Sequence, residues 1–187
     1  MSWIVIILGY LLGSIPFAYI AGRILRGRDI RQMGDRNVGA ANAFRQLGRK
    51  VGVAVYLADA AKGALAILIA RAASIPQEIV LLTGVAAVAG HNWSVFLGFR
   101  GGRGMSTAIG VLYAVVTVPT LIMTGPGLLT LVLSRNVILT SAVVFIPLPL
   151  VSWWLGFPGM LIAYSIALPC LVGLTHFLTT RRAPAVS

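Results

Sequence analysis

The feature that most limits what this chain can become is a succession of long apolar runs, separated by short segments that hold nearly all of its charge. About 17 to 25 apolar residues suffice to cross the hydrocarbon of a bilayer as a helix. Runs of this kind cover residues 3–22, 51–70, 79–96, 137–155 and 159–177. Residues 105–133 are too long for one crossing and too short for two full ones. Pro119 and Gly125-Pro126-Gly127 interrupt them, which predicts two short, tilted or kinked helices. The expectation is an all-α integral membrane protein of about seven transmembrane helices, a single polytopic domain over residues 1–187. Composition agrees, with 58% of residues hydrophobic and 10% charged, where a soluble domain carries about 25% charged residues.

Fifteen Lys and Arg stand against four acids. On a soluble protein that excess would be a nucleic-acid footprint. Here the basic residues lie between apolar runs, so anionic lipid, a phosphorylated substrate and topogenesis explain them, and no nucleic-acid partner is expected. With the N-terminus outside, the inner segments hold Arg23, Arg26, Arg28, Arg31, Arg36, Arg45, Arg49, Lys50, Arg100, Arg103, Arg135, Arg181 and Arg182. Only Arg71 then falls outside, and Lys62 lies within a span. This orientation requires an odd number of crossings and a cytoplasmic C-terminus. Met1-Ser2-Trp3 has no basic stretch of the kind that opens a signal peptide. The lone Cys170 excludes disulfides and thiolate metal sites within one chain. Gly9-x-x-x-Gly13 points to close helix packing, and Trp153 and Trp154 to a membrane interface.

Packing does not account for every residue. The inner segment 23–50 is long and polar, and its centre reads Gly34-Asp35-Arg36-Asn37-Val38-Gly39-Ala40-Ala41-Asn42-Ala43-Phe44-Arg45. Asn37, Asn42 and Gly39 point to irregular backbone, with a helix beginning within 40–47. Beside Arg45 such a helix start is an anion site; a solvated basic loop that only sets topology is the other reading. A second inner segment reads Gly98-Phe99-Arg100-Gly101-Gly102-Arg103-Gly104-Met105-Ser106-Thr107. Three glycines around Arg103 let backbone N–H groups approach a phosphate at the start of a helix, although no Walker pattern is present. A flexible turn with an interfacial arginine is the alternative.

Asp59 and Lys62 share a helical face within a span and fit a structural ion pair. His91 and His176, at inner helix ends, are each open to a role as base or orienting donor, or to none. There is no His followed four residues later by Asp, no G-x-S-x-G elbow and no cluster with metal spacing, so neither metal nor cofactor is expected. These residues fit anion binding joined to a reactive substrate. A non-catalytic lipid-phosphate binder and a small transporter stay open beside that reading.

From Gly13-Ser14-Ile15-Pro16 to about Arg182 the chain resembles the bacterial acyl-phosphate:glycerol-3-phosphate acyltransferases, the PlsY family. Three pieces carry the resemblance. They are Asn37-x-Gly39-Ala40-x-Asn42-x-x-Arg45-x-x-Gly48, then Asp59-x-x-Lys62-Gly63, then Gly90-His91 through Phe99-Arg100-Gly101-Gly102-Arg103-Gly104-Met105-x-Thr107. The resemblance implies seven helices, an active site in the inner loops and a place in the bacterial inner (plasma) membrane. It implies transfer of a fatty acyl group from acyl phosphate to the 1-hydroxyl of glycerol 3-phosphate, giving lysophosphatidic acid for phospholipid synthesis, without acyl-CoA, acyl carrier protein or metal. By the same resemblance Gly101, Gly102, Arg103 and Gly104 bind the glycerol phosphate, while Asn37, Gly39, Asn42 and Arg45 form the acyl-phosphate side, with His91 nearby. A third motif maps onto residues 135–141, with Arg135 and Ser141, and the family's C-terminal His onto His176. Arg45, Arg103 and His176 are the expected catalytic residues.

Some positions depart from the family pattern. Asp35-Arg36 replace a common Ser-Gly, Ala41 a Thr, Arg103 a Lys, Ile138 a Ser and Thr179 an Asn, and Ala183-Pro184-Ala185 replace a Gly-x-Glu tail. A relative with another acceptor or donor is the alternative these departures leave. Asp35 would stand beside a dianionic acyl phosphate, and Arg36 is the partner expected to neutralise it.

Overall fold

The computed structural model describes residues 2–181, without the side chains of residues 180 and 181. Arg182, the 183–185 stretch and the side chain of Arg181, all expected in a cytoplasmic tail, lie outside the described residues. Among the described residues there are ten α-helices and no strand. They are α1 (Ser2–Ser14), α2 (Phe17–Arg26), α3 (Ala40–Leu47), α4 (Arg49–Ala72), α5 (Gln77–Asn92), α6 (Met105–Val115), α7 (Thr117–Ser134), α8 (Val137–Phe145), α9 (Leu148–Trp154) and α10 (Gly159–Arg181). Among the described residues, six stretches are long and apolar enough to cross a membrane: Ser2–Arg26, Arg49–Ala72, Gln77–Leu97, Thr117–Ser134, Val137–Trp154 and Gly159–Thr179. Met105–Val115 is an apolar helix of 11 residues, shorter than those six.

The breaks fall where backbone bonding is lost, and several differ from expectation. The first run divides at Ile15-Pro16 between α1 and α2, because proline brings no N–H to the helix ladder. Residues 105–133 divide at Val116, whose ψ of 65° leaves the helical region, and neither Pro119 nor Gly125-Pro126-Gly127 breaks α7. Pro119 sits in the first turn, where its N–H would have had no partner. Pro126 lies inside α7 between Gly125, where a Cβ would meet nothing, and Gly127, which is buried against Val144. The 137–155 run also divides, before Leu148 at Pro147.

Lipid tails are as apolar as leucine, so helices in a bilayer associate through close van der Waals contact more than through burial from water. The chain meets that requirement with small residues. Gly9 and Gly13 bring α1 onto Thr83 and Ala87 of α5, as the small-xxx-small spacing implied. Gly110 and Gly63 seat α6 against α4, with no space for a Cβ beside the carbonyls of Ala60 and Thr107. Ile67, Val88, Val111, Leu112, Leu148 and Leu168 fill the interior. Trp3, Ile24, Val132, Leu133, Ile146 and Trp154 are each more than two-thirds exposed on the outer faces, a surface suited to lipid.

One end of the bundle gathers the polar segments. Arg31 Nη1 donates to Leu97 O at 3.3 Å, Asn92 Nδ2 to Thr175 Oγ1 at 3.3 Å, and Ser141 Oγ lies 3.0 Å from Met105 Sδ. At the opposite end Arg71 donates to Ala114 O at 2.6 Å.

Candidate active site

The first polar segment is folded by its own side chains. Asp29 caps the 3-10 turn Ile30–Gln32, accepting the Arg31 N–H at 2.9 Å and pairing with the Arg31 guanidinium at 2.7 Å. That guanidinium holds the Asp29 carboxyl below the usual carboxylate range. Asn42, in α3, is fully buried and donates its amide to the carbonyls of Ile30, Met33 and Asn37, at 3.3, 3.0 and 3.0 Å. The Asn42 amide N–H groups thus hold this loop together, while its Oδ1 accepts no hydrogen bond among the described residues. Gly39 opens α3 in extended backbone, and the Asn37 amide lies 2.8 Å from where a Cβ on Gly39 would stand. The helix expected within 40–47 is present as α3.

The glycine segment works differently from the phosphate nest its sequence implied. Gly101 N–H donates to Asn92 O at 3.1 Å and Gly102 N–H to His91 O at 2.9 Å. Both donors thus bind the end of α5, and the glycines permit close contact between backbones. A Cβ on Gly102 would press on His91 Nε2 and stand 2.6 Å from Val38 O. Gly104 takes the left-handed conformation, φ 81°, and starts α6. The open donors here are the N–H groups of the first turn of α6, from Met105 onward.

Arg103 and Arg45 come from different segments and converge on Asp35. Asp35 Oδ2 lies 2.8 Å from Arg45 Nη2 and 3.8 Å from Arg103 Nη1. The partner of Asp35 is consequently not Arg36, which is exposed, has φ 60° and forms no ion pair among the described residues. Left-handed backbone at Arg36 makes the turn, while Arg45 reaches back from the last turn of α3. From α10, Thr175 Oγ1 approaches Arg103 O at 3.4 Å and places the adjacent His176 at the same end. A cleft of about 120 Å³ between these elements is lined by Asn92, Trp93, Gly102, Thr175, Leu178 and Thr179.

Beneath the site lies a buried charge cluster. Lys62 Nζ is 2.7 Å from Asp59 Oδ1, the pair expected from their spacing, and His91 Nδ1 lies 3.5 Å from the same oxygen. Lys62 also donates to Ile15 O at 2.8 Å, the carbonyl left open by the break at Pro16. His91 is 7% exposed and held between Asp59 and Gly102, where it supports the glycine segment.

The third motif sits beside the start of α6. Arg135 ends α7 in the left-handed conformation, φ 52°, and is exposed. Asn136 caps α8 by accepting the N–H groups of Ile138 and Leu139, and Ser141 Oγ donates to Val137 O at 2.7 Å. Sequence reasoning missed Asn92 and Thr175, whose signal was only their adjacency to His91 and His176.

The comparisons with known proteins bear on this arrangement. Residues 3–183 match the family Glycerol-3-phosphate acyltransferase. A relative from Dehalococcoides mccartyi, Glycerol-3-phosphate acyltransferase 4, is 53% identical over 182 residues, covering 97% of this chain and 98% of its own. A Glycerol-3-phosphate acyltransferase from a Synechococcus species is 38% identical over 175 residues, covering 94% and 88%. The crystal structure of PlsY, an integral membrane glycerol 3-phosphate acyltransferase, in its glycerol 3-phosphate form superposes with a TM-score of 0.86 at 35% identity, covering 97% and 90%. Its lysophosphatidic acid form gives 0.84 at 34% identity with the same coverage. Matched along nearly all its length in both sequence and fold, this chain belongs to the glycerol-3-phosphate acyltransferase family.

Proposed function

We propose that the protein transfers a fatty acyl group from acyl phosphate to the 1-hydroxyl of glycerol 3-phosphate, at the cytoplasmic face of a bacterial plasma membrane. The observation that carries this reading is the convergence of Arg45 and Arg103, from two separate polar segments, on one carboxylate oxygen. Two guanidinium groups meeting at one point form a receptor for an oxyanion. Relatives named for acylation of glycerol 3-phosphate, and a neighbour crystallised with it, support the acceptor.

Acyl phosphate is a mixed anhydride with phosphate as leaving group, so catalysis is chiefly positioning and charge stabilisation. The hydroxyl oxygen attacks the acyl carbon, the bond from that carbon to the phosphate oxygen breaks, and the hydroxyl proton ends on the phosphate set free. Arg103, carried on the segment that Gly101, Gly102 and Gly104 shape, holds the glycerol phosphate together with the open N–H groups at the start of α6. Arg45, with Asn37 and Gly39, holds the phosphate of the donor. His176, Arg135 and Ser141 complete the site from α10, the end of α7 and α8, while Asn42 and His91 position the loops. Membrane lipid supplies the medium in which the acyl chain of the donor lies.

Steady-state kinetics test this assignment. Arg103→Ala should raise KM for glycerol 3-phosphate, and Arg45→Ala should mainly lower kcat. Loss of one charge-assisted contact costs about 1.5 to 3 kcal/mol, which corresponds to roughly ten- to a hundredfold. Unchanged kinetics in both variants would remove these segments from the site.

A further inference from the structure

Asp35 stands where the two arginines meet. Its carboxylate divides its oxygens between two tasks. Oδ1 accepts the Asn37 N–H at 3.3 Å and shapes the turn, while Oδ2 lies 2.8 Å from Arg45 and 3.8 Å from Arg103. A carboxylate oxygen is the protein's own nearest equivalent of a phosphate oxygen, and guanidinium groups accept either. The side chains of Arg45, Asp35 and Arg103 are 49%, 34% and 25% exposed, so an incoming anion reaches the pair without any unfolding. Ion pairs this open to solvent are weak and exchangeable. Nothing else in the turn neutralises Asp35, because Arg36 forms no ion pair among the described residues.

We infer that Asp35 is a specificity-determining residue: its carboxylate occupies the anion position between Arg45 and Arg103, and an incoming phosphate group must displace it. The inference rests on the reading of these two arginines as phosphate ligands. It has a consequence for selectivity. A phosphomonoester dianion brings more charge than the carboxylate it replaces and wins the exchange. A carboxylate or a phosphodiester brings only the same charge and gains nothing by entering. The site therefore discriminates in favour of phosphomonoesters and acyl phosphates by means of an internal competitor. Both substrates, and inorganic phosphate, share the chemistry that displaces it.

The test compares wild type with Asp35→Asn and Asp35→Ser in the purified full-length protein, with Arg45→Ala and Arg103→Ala in parallel. Asparagine keeps an acceptor for the Asn37 N–H and removes the charge; serine is shorter and keeps a hydroxyl acceptor. KM for glycerol 3-phosphate, KM for palmitoyl phosphate and the inhibition constant of inorganic phosphate are measured, with thermal unfolding as the check on folding. Removing the competitor should lower at least one of these three constants by about three- to tenfold. A fall confined to glycerol 3-phosphate identifies the acceptor as the displacing group, and one confined to palmitoyl phosphate identifies the donor. Inhibition by glyceric acid, a carboxylate analogue, should also strengthen in Asp35→Asn. If all three constants stay unchanged or rise in the folded Asp35 variants while either arginine variant is impaired, the competitor idea is overturned and Asp35 instead orients the arginines. If both arginine variants keep wild-type kinetics, the phosphate-ligand reading itself fails, and the inference falls with it.

Discussion

Gly102 has a hydrogen where any other residue would have a side chain, and that space is filled by His91 Nε2 on one side and Val38 O on the other. Neither neighbour can retreat freely, since His91 is held against Asp59 and Val38 is buried backbone. Gly102→Ala should therefore displace the segment carrying Arg103, at an overpacking cost of about 1 to 3 kcal/mol, read as a raised KM for glycerol 3-phosphate. Gly98→Ala is the control: a Cβ there meets nothing, so only its φ of 62° is strained and KM should hold. Asp29 gives a pH test. Because Arg31 depresses its carboxyl, the stability it contributes is complete above the unfolded value, about pH 4, and disappears as pH falls through the lower folded value. Asp29→Asn should flatten that acid limb in thermal unfolding measured against pH. At this scale the sequence revealed which residues matter better than what they do. Asn42 and His91 stood out as polar residues in anion-like surroundings, yet their partners, Ile30 O and Asp59, come from chain folding that no local spacing encodes.

Between helices, the buried Lys62 ties three elements together. It neutralises Asp59 on its own helix α4, takes the Ile15 carbonyl at the end of α1, and through Asp59 steadies His91 at the end of α5. Lys62→Met should leave the buried Asp59 without its lysine partner and cost about 3 to 5 kcal/mol. The double variant Asp59→Asn with Lys62→Met should recover part of that loss, a non-additivity measurable by thermal unfolding in detergent. The helices themselves were legible, since long apolar runs in a chain with 10% charged residues have few other solutions. Their interruptions were less so. Pro16, Pro119 and Pro147 stand at or just after helix breaks whereas Pro126 lies inside α7, because the effect of a proline depends on its place in the turn. Val116 carries the break between α6 and α7, three residues before Pro119, which lies in the first turn of α7 and brings no N–H to the ladder of α6.

Across the whole molecule, charge and geometry agree. The segments that the basic residues assign to one side of the membrane are those joined at one end of the bundle by the bonds of Arg31, Asn92 and Thr175. Cysteines introduced at Asp35 and Arg100 in a Cys170→Ser background should thus react only from the cytoplasmic side, and one at Gln77 only from outside. Labelling of position 100 from outside would reverse the orientation. The most direct test of the central claim is transfer itself, with purified protein, palmitoyl phosphate and a panel of phosphorylated polyols, products identified by mass spectrometry. The expected result is 1-palmitoyl lysophosphatidic acid from glycerol 3-phosphate with release of one phosphate per acyl group transferred. Failure to acylate glycerol 3-phosphate from palmitoyl phosphate, or a clear preference for another acceptor in the panel, would contradict it.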